Sequence, residues 1–218
     1  MTRSKPDVSV DVVLLTLTSK GLSVALSKRD KGPFEGQWAL PGGYVHVEGN
    51  EDVDTDASAF RVLREKANLN APYLEQLQVF SGLDRDPRGW SISVAYYALV
   101  PEATLVEDTN LNLFAVSDLP ELPFDHAKII KSAIARVQDK AGYSSLPTHL
   151  LPELFTLTEL KSTYEALMGC KLDKSAFRRK IDALDFLELV EGETKTGSHR
   201  PAQLYRRKSR LSLFDKVL

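Results

Sequence analysis

A single cysteine, Cys170, is too few for an intramolecular disulfide framework or a cysteine-built zinc site. No apolar run approaches the roughly 18 residues that cross a bilayer, and the opening segment MTRSKPDVSV is too polar for a secretory signal. A strong excess of one charge is missing as well. The 28 basic and 30 acidic residues leave a net −2, which argues against a wholly basic nucleic-acid coat or a polybasic membrane binder. No internal repeat is visible. What is present is ordinary globular composition, 43% hydrophobic and 27% charged over 218 residues. That excludes a disordered or fibrous chain, and the length suits one large or two small units with real cores. The expectation is a soluble, cytoplasmic protein with no membrane partner.

The near-neutral sum hides a split. Thr156–Leu218 holds 13 basic and 9 acidic residues, +4, so Met1–Phe155 carries 15 basic and 21 acidic, −6. Such asymmetry points to two domains with different partners. In the first part, Val8–Thr18 and Leu22–Lys28 are rich in Val and Leu and read as a hairpin. Pro41-Gly42-Gly43 implies a tight turn or a close backbone approach. Asp54–Asn68 reads as a helix with Phe60, Leu63 and Ala67 on one face. Tyr73–Phe80, Ser91–Val100 and Asn112–Val116 read as strands, and His126–Gln138 as a second helix. Residues 141–152, with Ser, Pro and little periodicity, read as a linker between a first domain over 1–140 and a second over 153–218.

In the second part, Thr158–Met168 is helical, with Leu160, Tyr164 and Leu167 on one face, Thr158 a candidate N-cap and Gly169 the stop. Cys170 beside it reads as a small packing residue. Asp173 caps a second helix to about Asp185, with Phe177, Ile181 and Leu184 on its apolar face. Phe186–Val190 and Ala202–Lys208 then read as strands around a polar, basic loop. Helix, turn, helix and basic hairpin is the order of a winged helix-turn-helix. Stepping 100° per residue from Phe177 turns Ser175 and Arg179 outward, puts Arg178 and Lys180 on either flank, and leaves Lys174 near the helix start. The guanidinium fork matches guanine O6 and N7, so Arg179 is the candidate for base readout. Lys195, His199 and Arg200 on the hairpin are candidates for backbone or minor-groove contact. A solvated charged helix, or a protein-binding winged helix, is the competing reading.

The segment Leu40–Leu69, LPGGYVHVEGNEDVDTDASAFRVLREKANL, resembles the Nudix box, G-x(5)-E-x(7)-R-E-U-x-E-E-x-G-U with U aliphatic. Gly43, Arg61, Leu63, Glu65 and Leu69 match the pattern. The departures are Glu51, eight positions after Gly43 rather than six, Val62 and Lys66 in place of two glutamates, and Asn68 in place of glycine. In this family, carboxylates hold Mg²⁺ for diphosphate cleavage. Positions 62 and 66 lie one helical turn apart, so the two lost carboxylates were neighbours. A lysine cannot ligate a metal while protonated. Lys66 could partly replace Mg²⁺ in neutralising a diphosphate, without creating a nucleophile. The box therefore suggests a pocket that binds a nucleoside diphosphate derivative and hydrolyses it poorly or not at all.

Taken with LDKSAFRRKI and SHRPAQLY after it, the degenerate box resembles the Nudix-related transcriptional regulators of NAD metabolism over nearly the whole chain. The resemblance implies an α/β (α+β) fold, a Nudix-like α/β/α sandwich with a mixed sheet followed by a winged helix-turn-helix. It also implies a homodimeric regulator, expected to be a repressor, with a palindromic double-stranded DNA operator and ADP-ribose or a related nucleotide as effector. Relatives of this architecture sense other metabolites, so the effector is less firmly carried over than the architecture. The candidate ligand-binding residues are Arg29, Phe34, Trp38, Gly42, Gly43 and Arg61, with Glu65, Lys66, Arg85, Asp86 and Arg88. For the turn holding Arg85, Asp86 and Arg88, a phosphate or ribose clamp and a solvated turn with an internal ion pair fit the spacing equally. No cofactor is expected to be required. The alternative is an active Mg²⁺-dependent pyrophosphatase using Glu65 and Glu51, with Glu48, Asp52, Asp54 and Asp56 as an unusual metal set; Glu65 is the weak metal candidate.

Overall fold

The computed structural model describes residues 5–50, 52–70, 73–105, 110–195 and 201–215, and only the backbone of residues 50 and 193. Two compact units emerge, one over residues 1–100 and 104–134, the other over 101–103 and 135–218.

The first unit is built on a seven-stranded mixed sheet. Its strands are β1 (Asp7–Thr18), β2 (Gly21–Lys28), β3 (Trp38–Ala39), β4 (Gly42–Tyr44), β5 (Tyr73–Gly82), β6 (Ser91–Leu99) and β7 (Leu111–Ala115). The path runs β3-β2-β1-β6-β5, with β4 also on β1 and β7 also on β2. Among the described strands of this sheet only β1 and β6 run parallel, Val10 opposite Val94 and Val12 opposite Tyr96. The apolar run of β1 follows from its position: Val10, Val12 and Leu14 are buried on one face, Val13 and Leu15 on the other, so the strand is covered on both sides. The first face packs against α1 (Thr55–Ala67) through Ala59, Val62, Leu63 and Ala67. Asp54 caps α1 by accepting the Ala57 N–H at 2.7 Å, and Asn68 closes it in the left-handed conformation. Helix α2 (His126–Ala141) buries Ile129, Ile130 and Ala133.

The second unit contains α3 (Leu157–Met168), α4 (Lys174–Leu184) and a three-stranded sheet ordered β8 (Phe155–Thr156), β10 (Ala202–Arg207), β9 (Leu187–Lys195). Phe155, Leu160, Tyr164, Phe177, Ile181 and Phe186 form its core. Gly169 ends α3 at φ 68, where L side chains are strained, and Asp173 caps α4 by accepting the Ala176 N–H at 2.7 Å.

Three sequence expectations are corrected in this unit. Thr156, not Thr158, caps α3: its hydroxyl accepts the Glu159 N–H at 3.2 Å while the Glu159 carboxylate accepts the Thr156 N–H at 2.8 Å. The glutamate three residues on selects that threonine, as a capping box requires. Cys170 is exposed rather than packed, because it follows the left-handed turn that separates the two helices. Residues 141–152, expected as a linker, are instead folded in. Ser144 to Leu150 are buried, Leu146–Leu150 forms a 3-10 turn, and the Tyr164 hydroxyl donates to the Ser144 carbonyl at 2.8 Å. A 3-10 turn does not carry the 3.6-residue period that marks a helix in sequence. No helix among the described residues is long and apolar enough to cross a membrane.

His149 sits buried in that turn with its Nε2 against the Arg210 carbonyl. Burial pulls its pKa down to about 4. The unfolded chain, with an ordinary imidazole near 6.5, therefore binds more protons between those values. The second unit is expected to lose stability as pH falls from about 6.5 toward 4 and to be insensitive above that window. Amide exchange of Leu160 and Tyr164 on α3 reads this, and His149→Gln should flatten the slope.

Candidate functional site

A cavity of about 460 Å³ opens in the first unit where β1, β2 and β4 meet the β5–β6 turn. Gly42 and Gly43 supply its backbone wall. A Cβ on Gly42 would stand 2.2 Å from Asp11 Oδ1 and 2.9 Å from the Val10 carbonyl, so only glycine lets β4 lie this close to β1. Arg29, Lys66, Arg85, Asp86 and Arg88 line the cavity as the sequence anticipates.

The Asp84–Gly89 turn holds the internal ion pair and presents it to the cavity. Arg88 grips Asp86 with Nε at 2.9 Å and Nη2 at 2.6 Å, an internal ion pair, yet both residues face the cavity. The Arg88 guanidinium holds the Asp86 carboxyl below its ordinary range. Arg85 is buried instead of solvated. It donates to Asp125 at 3.1 and 3.3 Å, to Ser91 Oγ at 3.1 Å, and lies 3.5 Å from Asp11.

Several lining residues escaped the sequence reading. Asp11 accepts the Ser93 hydroxyl at 2.5 Å and meets Arg85. Its signal was legible: it is the one charged residue in the apolar run Val8–Leu17. His126 closes the floor, its Nδ1 accepting the Leu40 N–H at 3.1 Å, and burial lowers its pKa. The neutral ring then carries its proton on Nε2, which lies 3.7 Å from Asp11. Phe124 lines the rim beneath the Arg29 guanidinium, 4.9 Å from the ring centre. Nothing in the local sequence marked it.

Four candidates do not line the cavity. Phe34 stands beside it, edge-on to Phe124 at 4.9 Å, and both hold left-handed backbone at φ 63 and 55, a costly conformation for a bulky residue. Trp38 packs edge-on against Phe114 at 5.3 Å with Lys28 over its ring. Arg61 is the clearest correction. It is buried, and it donates to Asp52 at 2.9 and 2.7 Å, to the Tyr44 carbonyl at 2.9 Å and to Ser58 at 3.2 Å. Its donors tie α1 to β4 and the loop before α1. Glu65 meets Arg61 at 3.4 Å from the half-exposed side of the helix.

Three carboxylates of the alternative metal set have other work, while Glu48 is exposed. Asp52 is bound to Arg61, which holds its pKa well below the carboxylate range. Asp54 caps α1, and Asp56 accepts from the buried Tyr96 hydroxyl, whose pKa is pushed up to about 12 chiefly by burial. Val62 is buried with Cγ2 3.7 Å from where a Gly43 Cβ would be. Among the described residues no three His, Cys, Asp or Glu side chains group as metal ligands. Val62 and Lys66 supply no carboxylate at the two box positions they occupy. Glu51 lies outside the described residues.

In the second unit, α4 shows Lys174, Ser175, Arg178, Arg179 and Lys180 to solvent while Phe177 and Ile181 are buried. Arg178 lies 3.9 Å from Asp182 one turn on. Lys195 is not simply presented at the hairpin: its ammonium is 2.5 Å from Glu159. His199 and Arg200 lie outside the described residues.

Residues 147–207 match the family described as the NrtR DNA-binding winged helix domain. The chain is 37% identical over 207 residues to an ADPR responsive transcriptional repressor NtrR of Acinetobacter baylyi, covering 92% of this chain and 82% of that protein. The crystal structure of Shewanella oneidensis NrtR complexed with a 27mer DNA is similar at a TM-score of 0.88 and 34% identity, covering 97% of this chain and 99% of that one. The Nudix domain of the same Shewanella protein, crystallised with ADP ribose, matches at a TM-score of 0.54 and 32% identity over 62% of this chain and 90% of that one.

Proposed function

The chain belongs to the NrtR family of transcriptional regulators, and from that premise we propose that it is a DNA-binding repressor whose first unit binds ADP-ribose. The observation that carries this reading is one chain holding both a cation-lined cavity behind a degenerate Nudix box and a winged helix with five polar or basic side chains exposed on α4. Its partners are a double-stranded operator and the effector; as a homodimer it would present two recognition helices to a palindrome, and its DNA partner makes the cytoplasm its place of work. Exposed Lys174 and Arg178 suit phosphate oxygens, and Arg179 suits a guanine edge.

ADP-ribose acts as a signal if it binds the DNA-free state better than the DNA-bound one, since a ligand shifts an equilibrium only by its differential affinity. Hydrolysis of it is not expected. Val62 and Lys66 remove two carboxylates, and Arg61 holds Glu65. The test has two arms. Full-length protein should shift DNA from upstream of its own gene or of NAD-metabolism genes, with an affinity that falls steeply with salt. Incubation with ADP-ribose and Mg²⁺ should return the ligand intact. Turnover abolished by Glu65→Gln would make the protein a pyrophosphatase instead, and salt-independent retention of protein rather than DNA would make the winged helix a protein-binding module.

A further inference from the structure

Lys28, Arg29, Lys31, Lys66, Arg85 and Arg88 line the cavity, against four acids, Asp7, Asp11, Asp30 and Asp86. Two of these cations are spent locally: Arg85 on Asp11 and Asp125, Arg88 on Asp86. Two more are held by rings, Lys28 over Trp38 at 5.6 Å and Arg29 over Phe124 at 4.9 Å. Lys31 and Lys66 differ from these four, and of the two only Lys66 stands on the helix of the degenerate Nudix box. Lys66 sits on α1 one turn beyond Val62, whose Cγ2 stands 3.7 Å from where a Gly43 Cβ would be, and its ammonium has no ion pair among the described residues. A surplus of two positive charges therefore lines the cavity, six cations against four acids with His126 neutral. A diphosphate diester brings one negative charge on each phosphate, which that surplus matches.

The same helix face is hostile to a divalent cation. It offers a methyl group at position 62 and an ammonium at position 66, while the Glu65 carboxylate is turned to Arg61 at 3.4 Å. We propose that Lys66 stands in for the metal: it donates directly to the diphosphate of the effector, so this chain holds its effector without a divalent cation. The proposal rests on the reading of the first unit as an ADP-ribose site. It carries two consequences. Mg²⁺ bound to the free ligand cancels the charge that Lys66 requires, so Mg²⁺ leaves the affinity unchanged or lowers it. An ammonium neutralises phosphate charge but activates no water, so binding and hydrolysis are uncoupled.

The experiment is calorimetric titration of the full-length protein with ADP-ribose, and separately with inorganic pyrophosphate, in EDTA and in Mg²⁺ at matched ionic strength. The wild type should bind ADP-ribose in EDTA at least as tightly as in Mg²⁺. Lys66→Met should weaken binding roughly tenfold or more, the loss of one charge-assisted hydrogen bond. Arg64→Met, which removes the same charge from an exposed position on α1 outside the cavity, should leave affinity unchanged. Binding lost in EDTA and restored by Mg²⁺ would overturn the proposal, and so would an unaltered affinity in Lys66→Met. If pyrophosphate binds in EDTA and loses affinity in Lys66→Met while ADP-ribose does not bind, the metal-free diphosphate site stands and the effector assignment fails. If neither binds, both fail.

Discussion

Replacing Arg61 with methionine is expected to destabilise the first unit by about 3 kcal/mol, because it strands a buried carboxylate. The Asp52 side chain is fully buried and is held by two Arg61 nitrogens at 2.9 and 2.7 Å, with the His46 N–H at 2.8 Å and the Ser58 side chain as further partners. Removing the guanidinium leaves that carboxylate to take up a proton or move to water. It also frees the Tyr44 carbonyl and Ser58 that Arg61 satisfies. Asp52→Asn keeps the shape and should cost less. Both tryptophans, Trp38 and Trp90, lie in the first unit, so the urea midpoint of tryptophan fluorescence reports this unit. The sign of the pH dependence follows from the depressed Asp52 pKa. The pair's contribution is present above the ordinary carboxylate value near 3.9 and is lost as pH falls through the folded one. An unchanged midpoint in Arg61→Met would return Arg61 to the list of ligand residues.

Arg179→Ala carries the second large effect, on DNA. A bidentate arginine on a guanine edge contributes about 1–3 kcal/mol of discrimination, so the substitution should weaken operator binding and relax preference at one base position. Lys174→Ala should instead weaken all sequences alike and reduce the salt slope by about one. Arg178 and Lys195 should matter less than their charge suggests, since Arg178 leans toward Asp182 and Lys195 is paired with Glu159. Competition binding against single-base operator variants measures this. If Arg179→Ala keeps both affinity and preference, the outward face of α4 has been assigned to the wrong residues.

What was legible in the chain was what leaves a periodic or terminal mark. The N-cap Asp173, the left-handed stop Gly169, and the buried triplet Leu160, Tyr164 and Leu167 all stand where local chemistry puts them, and the helix read over Asp54–Asn68 spans Thr55–Ala67. The capping box shows the limit: two threonines compete, and the partner glutamate three residues on chooses Thr156. The turn at Leu146–Leu150 looked like linker because a 3-10 helix has the wrong period, and because Tyr143 and Ser145 just before it bond to Phe214 and Ser212, far off in sequence. Lys66 and the motif's glycines line the cavity, whereas Arg61 turns its guanidinium to Asp52 and the Tyr44 carbonyl. A motif fixes which residue stands at a position, not which acceptors its five donors will find. Asp11 was visible as a charge in an apolar strand. Phe124 was not, because its role depends on a left-handed backbone that no side-chain pattern announces.

If ADP-ribose and operator DNA bind this protein antagonistically, fluorescence anisotropy of a labelled operator duplex with and without saturating ADP-ribose will read the coupling. Coupling of the usual size predicts that ADP-ribose lowers operator affinity by roughly 5- to 150-fold, with no ligand consumed. Operator affinity that is identical with and without ADP-ribose, in a protein that demonstrably binds both, would contradict it.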